Sequence, residues 1–390
     1  MINAGVMSTL FVMVAVAAHY ISIAVALYRS RRIVAINGRF GPSTPVSILR
    51  PVCGVDQYDG QTLTSGFLLD HPNYELLFCG ASASDPAAGL VKSLICRFEH
   101  ADAHLFIGDD RPTPNPKLNN LVKAWPAAQS PWIVFADSNV MMPADYLDQL
   151  FAAWRDNTGL VCSPPVGSRP EGFWAEIECA FLNTYQARWQ LAADYIGFGF
   201  AQGKSMLWRR DVLDRAGGIL ALGSEIAEDA AATKVVRQQG LRVRLVDRPF
   251  KQPLGYRTAR QVWDRQLRWA RLRRATFTLY YVAEIATGIA PPLIAAAFAI
   301  DALDADPRLS FAALIAAWYL PEAFLNVRAG WHFSPTTPLA WLARDLLIPI
   351  IWMSAWFGRG FEWRGNAMTT ADSMTEPAIH RRSEPLSQSR

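Results

Sequence analysis

The chain has 390 residues, a net charge of only +4, 51% hydrophobic residues and 18% charged residues. It is more apolar and less charged than an ordinary soluble domain, and long enough for one α/β domain plus membrane segments. So mild a charge argues against a nucleic-acid binder. Five scattered cysteines without a CxxC pair, and six dispersed histidines, argue against a zinc or redox motif and for buried, reduced thiols.

Residues 2–27 are almost continuously apolar, broken by His19 and a few small polar residues. Roughly 20 apolar residues span a bilayer. Arg29, Arg31 and Arg32 follow at once and no basic side chain precedes, which by the positive-inside rule places the downstream side in the cytoplasm. A cleaved signal peptide carries the opposite charge order. Residues 1–30 therefore read as an uncleaved anchor.

Residues 31–257 read as an α/β domain. Strand-like runs at 46–50, 74–79, 104–107 and 132–136 alternate with helix-length segments such as 87–99 and 144–156, the pattern of a largely parallel sheet. Gly240 ends a helix that starts near Asp229. Residues 241–246 then alternate, with Leu241, Val243 and Leu245 on one face and Arg242 and Arg244 on the other, as in a half-buried strand.

Thr258 and Gln261 have capping-box spacing and open a basic helix over 258–278. Its arginines are interleaved with Trp263, Leu267, Trp269 and Leu272, which suits a membrane interface or a solvated face. Apolar runs at 280–300, 311–327 and 339–357 make 279–360 a C-terminal membrane region. Glu284, the Pro291-Pro292 pair and Arg344-Asp345 fall inside these runs. Charges at membrane depth are costly and are paired or functional, so one run is a candidate re-entrant segment. Residues 361–390 read as a polar tail.

The chemistry gathers where strands end. PWIVFADSNV (131–140) is a short apolar run that turns polar at Asp137 and Asn139. In an open α/β sheet, ligands bind past the carboxyl ends of strands. Asp56 follows the first run and Asp85 the second, while Asp229 opens a helix. Each alone reads equally well as a turn residue or cap. Together they suit a nucleotide sugar: carboxylates for base and ribose, one to hold a divalent ion against the diphosphate, and one to take the acceptor's proton. Arg265 and Arg268, one turn apart, can neutralise the departing diphosphate. The 197–205 stretch imitates a phosphate-binding loop, but three or five residues stand where four are required. Residues 203–205 instead read as part of the donor or acceptor pocket.

With Asp56 in Gly-Val-Asp, Asp137 in Asp-Ser-Asn, Asp229 in Glu-Asp and Arg265-x-x-Arg268-Trp269, the chain resembles the ceramide glucosyltransferase family. The stretches NPKLNNL (115–121) and GKSMLWRRDVL (203–213) add to the likeness. The resemblance implies a GT-A fold, Rossmann-like, and an inverting hexosyltransferase that moves a hexose, glucose before galactose, from a UDP-sugar such as UDP-glucose to the hydroxyl of a membrane lipid. It implies Asp56 and Asp85 at the uridine, Lys117 and Asn120 lining the nucleotide-sugar pocket, and Asp137 with Asn139 at a Mg²⁺ or Mn²⁺ ion. It implies Asp229 as the base, Arg265 and Arg268 at the diphosphate and Trp269 near the acceptor. Asn139 stands where the wider GT-A pattern has a second carboxylate. Ceramide is the implied acceptor, with diacylglycerol or a hopanoid-linked lipid as alternatives and a non-catalytic scaffold as the rival from another class. The expected location is a bacterial inner membrane, with the catalytic domain cytoplasmic.

Overall fold

The computed structural model describes residues 4–32, 40–41, 43–363 and 365–371; the expected polar tail lies outside the described residues from 372 onward. Helix α1 (Ala4–Ser30) precedes β1 (Val46–Pro51), α2 (Asp59–Ser65), β2 (Tyr74–Gly80), α3 (Pro86–Arg97), β3 (Ala103–Ile107), α4 (Pro116–Ala124), β4 (Trp132–Ala136) and α5 (Tyr146–Ala152). Next come β5 (Thr158–Cys162), β6 (Val166–Glu171), α6 (Phe173–Ala180), a π-helix (Phe181–Ala187), α7 (Arg188–Tyr195), β7 (Ser205–Arg209), α8 (Arg210–Arg215), α9 (Glu228–Gln238), β8 (Arg242–Leu245) and β9 (Lys251–Tyr256). Helices α10 (Ala259–Thr276), α11 (Thr278–Glu284), α12 (Ala290–Ala302), α13 (Pro307–Ala329) and α14 (Thr337–Ser354) follow, and then a hairpin of β10 (Gly360–Trp363) and β11 (Asn366–Thr369). The hairpin occupies the start of the stretch expected to be tail.

Seven strands form one sheet in the order β3-β2-β1-β4-β7-β5-β8. Alternation along the strands divides their side chains between two cores. Ile48, Phe78 and Val134 pack on one face with Val91 of α3 and Leu150 of α5. Leu49, Leu77 and Phe135 pack on the other with Leu121 of α4 and Val235 of α9. Helices thus cover both faces, and a strand buried on both sides reads as a continuous apolar run. This is the α/β, GT-A-type architecture expected from the sequence. It departs from a fully parallel sheet at β7, which runs antiparallel to both β4 and β5. That reversal sets the site: the start of β7 lies beside the end of β4, with Ser205 opposite Ala136.

Among the described residues two helices, α1 and α13, are long and apolar enough to cross a membrane; α11 to α12, bent by 55°, makes a third if counted as one span. The bend falls where Pro291 and Pro292 open α12. Helix α14 carries Arg344 and Asp345, and its charges are paired. Arg344 bonds Glu322 of α13 at 3.0 Å and Asp345 at 2.9 Å, and donates to Thr184 Oγ1 in the π-helix at 2.6 Å. At the other end of α1, buried Arg29 pairs with Asp194 at 2.6 Å and Asp247 at 3.0 Å. The apolar helices are therefore fastened to the α/β unit by buried charge, not only by packing.

The capping box of α10 is formed by Thr258 and Gln261. Several of its arginines are engaged within the protein. Arg273 binds Glu284 at 2.6 Å, and Arg271 donates to the carbonyls of Phe357 and Gly360.

Candidate active site

Because β7 is reversed, the 203–205 turn arrives at the carboxyl end of β4. Asp137 N–H donates to the Lys204 carbonyl at 3.0 Å, and the Lys204 ammonium reaches back to Asp137 Oδ2 at 2.9 Å and Asn139 Oδ1 at 3.2 Å. The loop carrying Asp137 is held from below by Arg50, a fully buried cation in β1. Its Nη2 donates to the carbonyls of Asp137, Ser138 and Val140 at 3.2 to 3.3 Å. Burial brings Arg50 down to about 10, so it stays a cation at neutral pH.

Asn115 caps α4 by accepting the N–H groups of Lys117 and Leu118, and its amide donates to Glu228 Oε2 at 2.9 Å. That cap fixes Lys117, whose ammonium lies 2.7 Å from Asp137 Oδ1 and 2.6 Å from Glu228 Oε1 and donates to the Gly203 carbonyl at 2.6 Å. Burial alone would raise Asp137, but Lys117 and Lys204 outweigh it and bring its carboxyl down to about 2. Burial also opposes the charge on Lys117, yet Asp137 and Glu228 hold it above its ordinary value. Lys204 goes the other way: burial takes it below its ordinary value against the pull of Asp137, and the charges of Arg265 and Lys117 add to the fall.

Asp229 stands at the start of α9. Its Oδ1 accepts the Ala230 N–H at 2.8 Å and its Oδ2 the Gly203 N–H at 3.2 Å. Burial, then repulsion from Glu228, raise its carboxyl to about 6 against the pull of Lys117. A base near neutrality is what general-base chemistry requires. Gly203 is tightly enclosed: a Cβ there would sit 2.7 Å from Glu228 Oε1 and 3.0 Å from Lys117 Nζ.

The structure thus brings together Asp137, Asn139, Lys117 and Asp229. Asn120, buried on α4 one turn after Lys117, accepts from Lys123 at 3.4 Å. Asp85 caps α3 and also accepts the Gly54 N–H at 2.9 Å, which ties it to the turn carrying half-buried Asp56. The two arginines of α10 go to different partners. Arg265 is ion-paired with Glu178, a fully buried carboxylate of α6, whereas Arg268 Nη1 donates to the Glu362 carbonyl in the hairpin at 3.4 Å and lies over Trp363. Trp269 packs on Cys179, Leu182 and Leu254.

Residues 9–375 match the family model described as glycosyl transferase family 21. The chain belongs to that family. It is 29% identical to ceramide glucosyltransferase 3 of Caenorhabditis elegans over 84% of this chain and 72% of that protein. With ceramide glucosyltransferase 1 of the same organism the identity is 27%, over 92% of this chain and 78% of the other. Among solved structures it is similar to a mannosyltransferase from Pyrobaculum calidifontis in complex with GDP-Man and Mn²⁺, at 16% identity and TM-score 0.48, over 90% of this chain and 99% of that one. The protein is a glycosyltransferase that uses a sugar nucleotide.

For a family 21 enzyme, the residues at the end of β4 fit a divalent cation in one particular way. Lys204 Nζ touches oxygens of both Asp137 and Asn139, so these converge on one cation-sized position. Among the described residues no group of three His, Cys, Asp or Glu side chains is placed to cage a metal. The protein offers two oxygens, and an ion there would complete its shell with diphosphate oxygens and water, as Mg²⁺ commonly does. Sequence reasoning missed Arg50, Glu178, Glu228 and the contacts of Lys204. The available signal was a charge inside an apolar run, as in SILRP, AEIECA and IAEDAA, since such charges are buried only when partnered.

Proposed function

We propose that this family 21 enzyme transfers glucose from UDP-glucose to the primary hydroxyl of ceramide, with inversion, at the cytoplasmic face of a membrane. The observation that carries the reading is Asp229: a carboxyl raised to about 6, aimed by two backbone N–H groups, beside the Lys117–Asp137 pair. Asp229 takes the acceptor hydroxyl proton as the oxygen forms its bond to the anomeric carbon. The bond from that carbon to the diphosphate oxygen breaks on the opposite face, and UDP leaves. A divalent ion on Asp137 and Asn139, when bound, would neutralise charge on the diphosphate. Lys204 and Arg265 add positive charge at the same edge. Asp56 and Asp85, on the loops after β1 and β2, are proposed to hold the uridine, with Lys117 and Asn120 along the nucleotide-sugar pocket. The ceramide acceptor is proposed from the two nematode relatives' names, and the apolar α1 and α13 suit an enzyme whose acceptor lies in a bilayer.

The test uses full-length protein in detergent, offered UDP-glucose or UDP-galactose with ceramide, diacylglycerol or a hopanoid alcohol, with products read by mass spectrometry and anomeric configuration by NMR. β-Glucosylceramide as the product supports the proposal. Glycosylated diacylglycerol or hopanoid in its place replaces the acceptor, an α-linked product overturns inversion, and donor binding without any product favours a scaffold.

A further inference from the structure

A cavity of about 360 Å³ lies between α6, α10 and α14, walled by Trp174, Phe181, Val262, Trp263, Leu347 and Ile351. That volume falls in the range of ligand sites. Its one charged neighbour is Arg260, whose side chain is 90% exposed and paired outward with Asp264, so charge stands only at the rim. Two features of its setting say what enters it. On α14 the lining residues Leu347 and Ile351 directly follow the exposed Leu346 and Ile350, and Trp174 of the lining is itself 39% exposed. Helices α6 and α10 also carry the ion pair of Glu178 and Arg265. Trp174 and Glu178 are four residues apart on α6, and Val262 and Arg265 three apart on α10, so each pair shares a helix face. The charge of Arg265 acts on Lys204, which holds Asp137. An apolar slot therefore lies beside exposed apolar side chains of α14, on the same two helices as an ion pair whose arginine acts on the reaction centre.

We infer that this cavity holds one hydrocarbon chain of the lipid acceptor, and that it sets how far the acceptor's hydroxyl reaches toward Asp229. The inference rests on the lipid-acceptor reading above. A chain in the slot, with the polar end of the lipid at the Glu178–Arg265 pair, leaves the hydroxyl on the catalytic side of α10. The slot is bounded, so it discriminates chains by length and thickness, whereas an open bilayer surface does not.

The experiment compares ceramides of one sphingoid base carrying short and long acyl chains, using wild type and Leu347→Trp. The indole narrows the slot, and the lost room is expected to lower long-chain kcat/KM on the order of tenfold relative to the short chain. Binding of UDP-glucose, read by calorimetry, stays at the wild-type Kd and certifies the fold. A chain-length dependence identical in the two proteins overturns the inference. If Leu347→Trp does not fold, wild type is crosslinked with a ceramide bearing a diazirine at the chain end. Adducts on Trp174, Trp263 or Leu347 support the slot, and adducts confined to α1 and α13 overturn it in favour of bulk lipid contact. Should wild type glycosylate no lipid while glycosylating another acceptor, the lipid reading itself fails, a result separate from either.

Discussion

Lys117→Met is the sharpest perturbation of the site. It keeps length and apolar bulk while deleting the one ammonium that touches both Asp137 and Glu228. A side-chain carbon on Gly203 would lie 3.0 Å from Lys117 Nζ and 3.6 Å from Asp229 Oδ2, so those two charges are within about 6.6 Å of each other. At an effective dielectric constant of about 20, that separation is worth about 2.5 kcal/mol, or about two pH units on Asp229. The sign follows from the partner. Lys117 favours the ionised carboxylate, so its loss raises the Asp229 pKa from its present value of about 6. The acid limb of kcat/KM for this base, which rises as Asp229 ionises, is expected to move upward from about pH 6 by about those two units. Unpairing buried Glu228 also costs stability, about 3–5 kcal/mol for a broken buried pair.

The assay is a pH–rate profile with saturating acceptor, alongside denaturant unfolding of the detergent-solubilised protein. Glu228 is one of the groups that raises Asp229, so Lys117→Met combined with Glu228→Gln is expected to bring the limb back toward pH 6 and recover part of the lost stability. A Lys117→Met enzyme whose acid limb stays in place would refute the electrostatic account of Asp229. A double variant less stable than the single one would refute the claim that an unpaired Glu228 carries the cost.

Three further outcomes follow from the same geometry. Asp229→Asn is expected to reduce transfer by at least about 100-fold, the lower range for a positioned base, while the Kd for UDP-glucose changes little; transfer at the wild-type rate would remove Asp229 from the mechanism. Gly203→Ala places a Cβ 2.7 Å from Glu228 Oε1 and 3.0 Å from Lys117 Nζ, so kcat falls and thermal unfolding shifts down, and an unperturbed variant would mean the turn yields without cost. Lys204→Met frees Asp137 Oδ2 and Asn139 Oδ1. Titration with Mn²⁺ in the absence of nucleotide, followed by electron paramagnetic resonance, should detect tighter binding than in wild type; equal affinities would mean that Lys204 and an ion do not compete.

The strands at 46–51, 74–80 and 132–136 were legible because each is a compact, mostly apolar run bounded by Pro, Gly or Asp, and because burial on both faces leaves that run continuous, whereas the edge strand at 103–107 is short, apolar and only partly buried. The rod formed by α6, the π-helix and α7 was not legible. Glu176, Glu178, Asn183, Thr184 and Arg188 are all buried there, so polar residues occupy core positions and no amphipathic period survives for a sequence reading to find. What makes those positions polar is tertiary: Glu178 awaits Arg265, Thr184 awaits Arg344, and Arg188 meets His19 of α1. The same rod lies between β5 and β7, which run antiparallel. Strand alternation looks the same in either direction, so nothing local announced that β7 runs backwards or that Lys204 would land on Asp137. The two arginines of α10 teach the complementary lesson. Their spacing puts them on one face, but the β10–β11 hairpin, set in a stretch that reads as polar tail, takes Arg268 toward Glu362 while Arg265 goes to Glu178. Local pattern thus located the acids at strand ends, whereas their counter-charges depend on contacts between segments far apart in the chain. The reaction centre is accordingly most exposed to substitutions that look remote from it in sequence, at Arg50, Asn115 and Glu178.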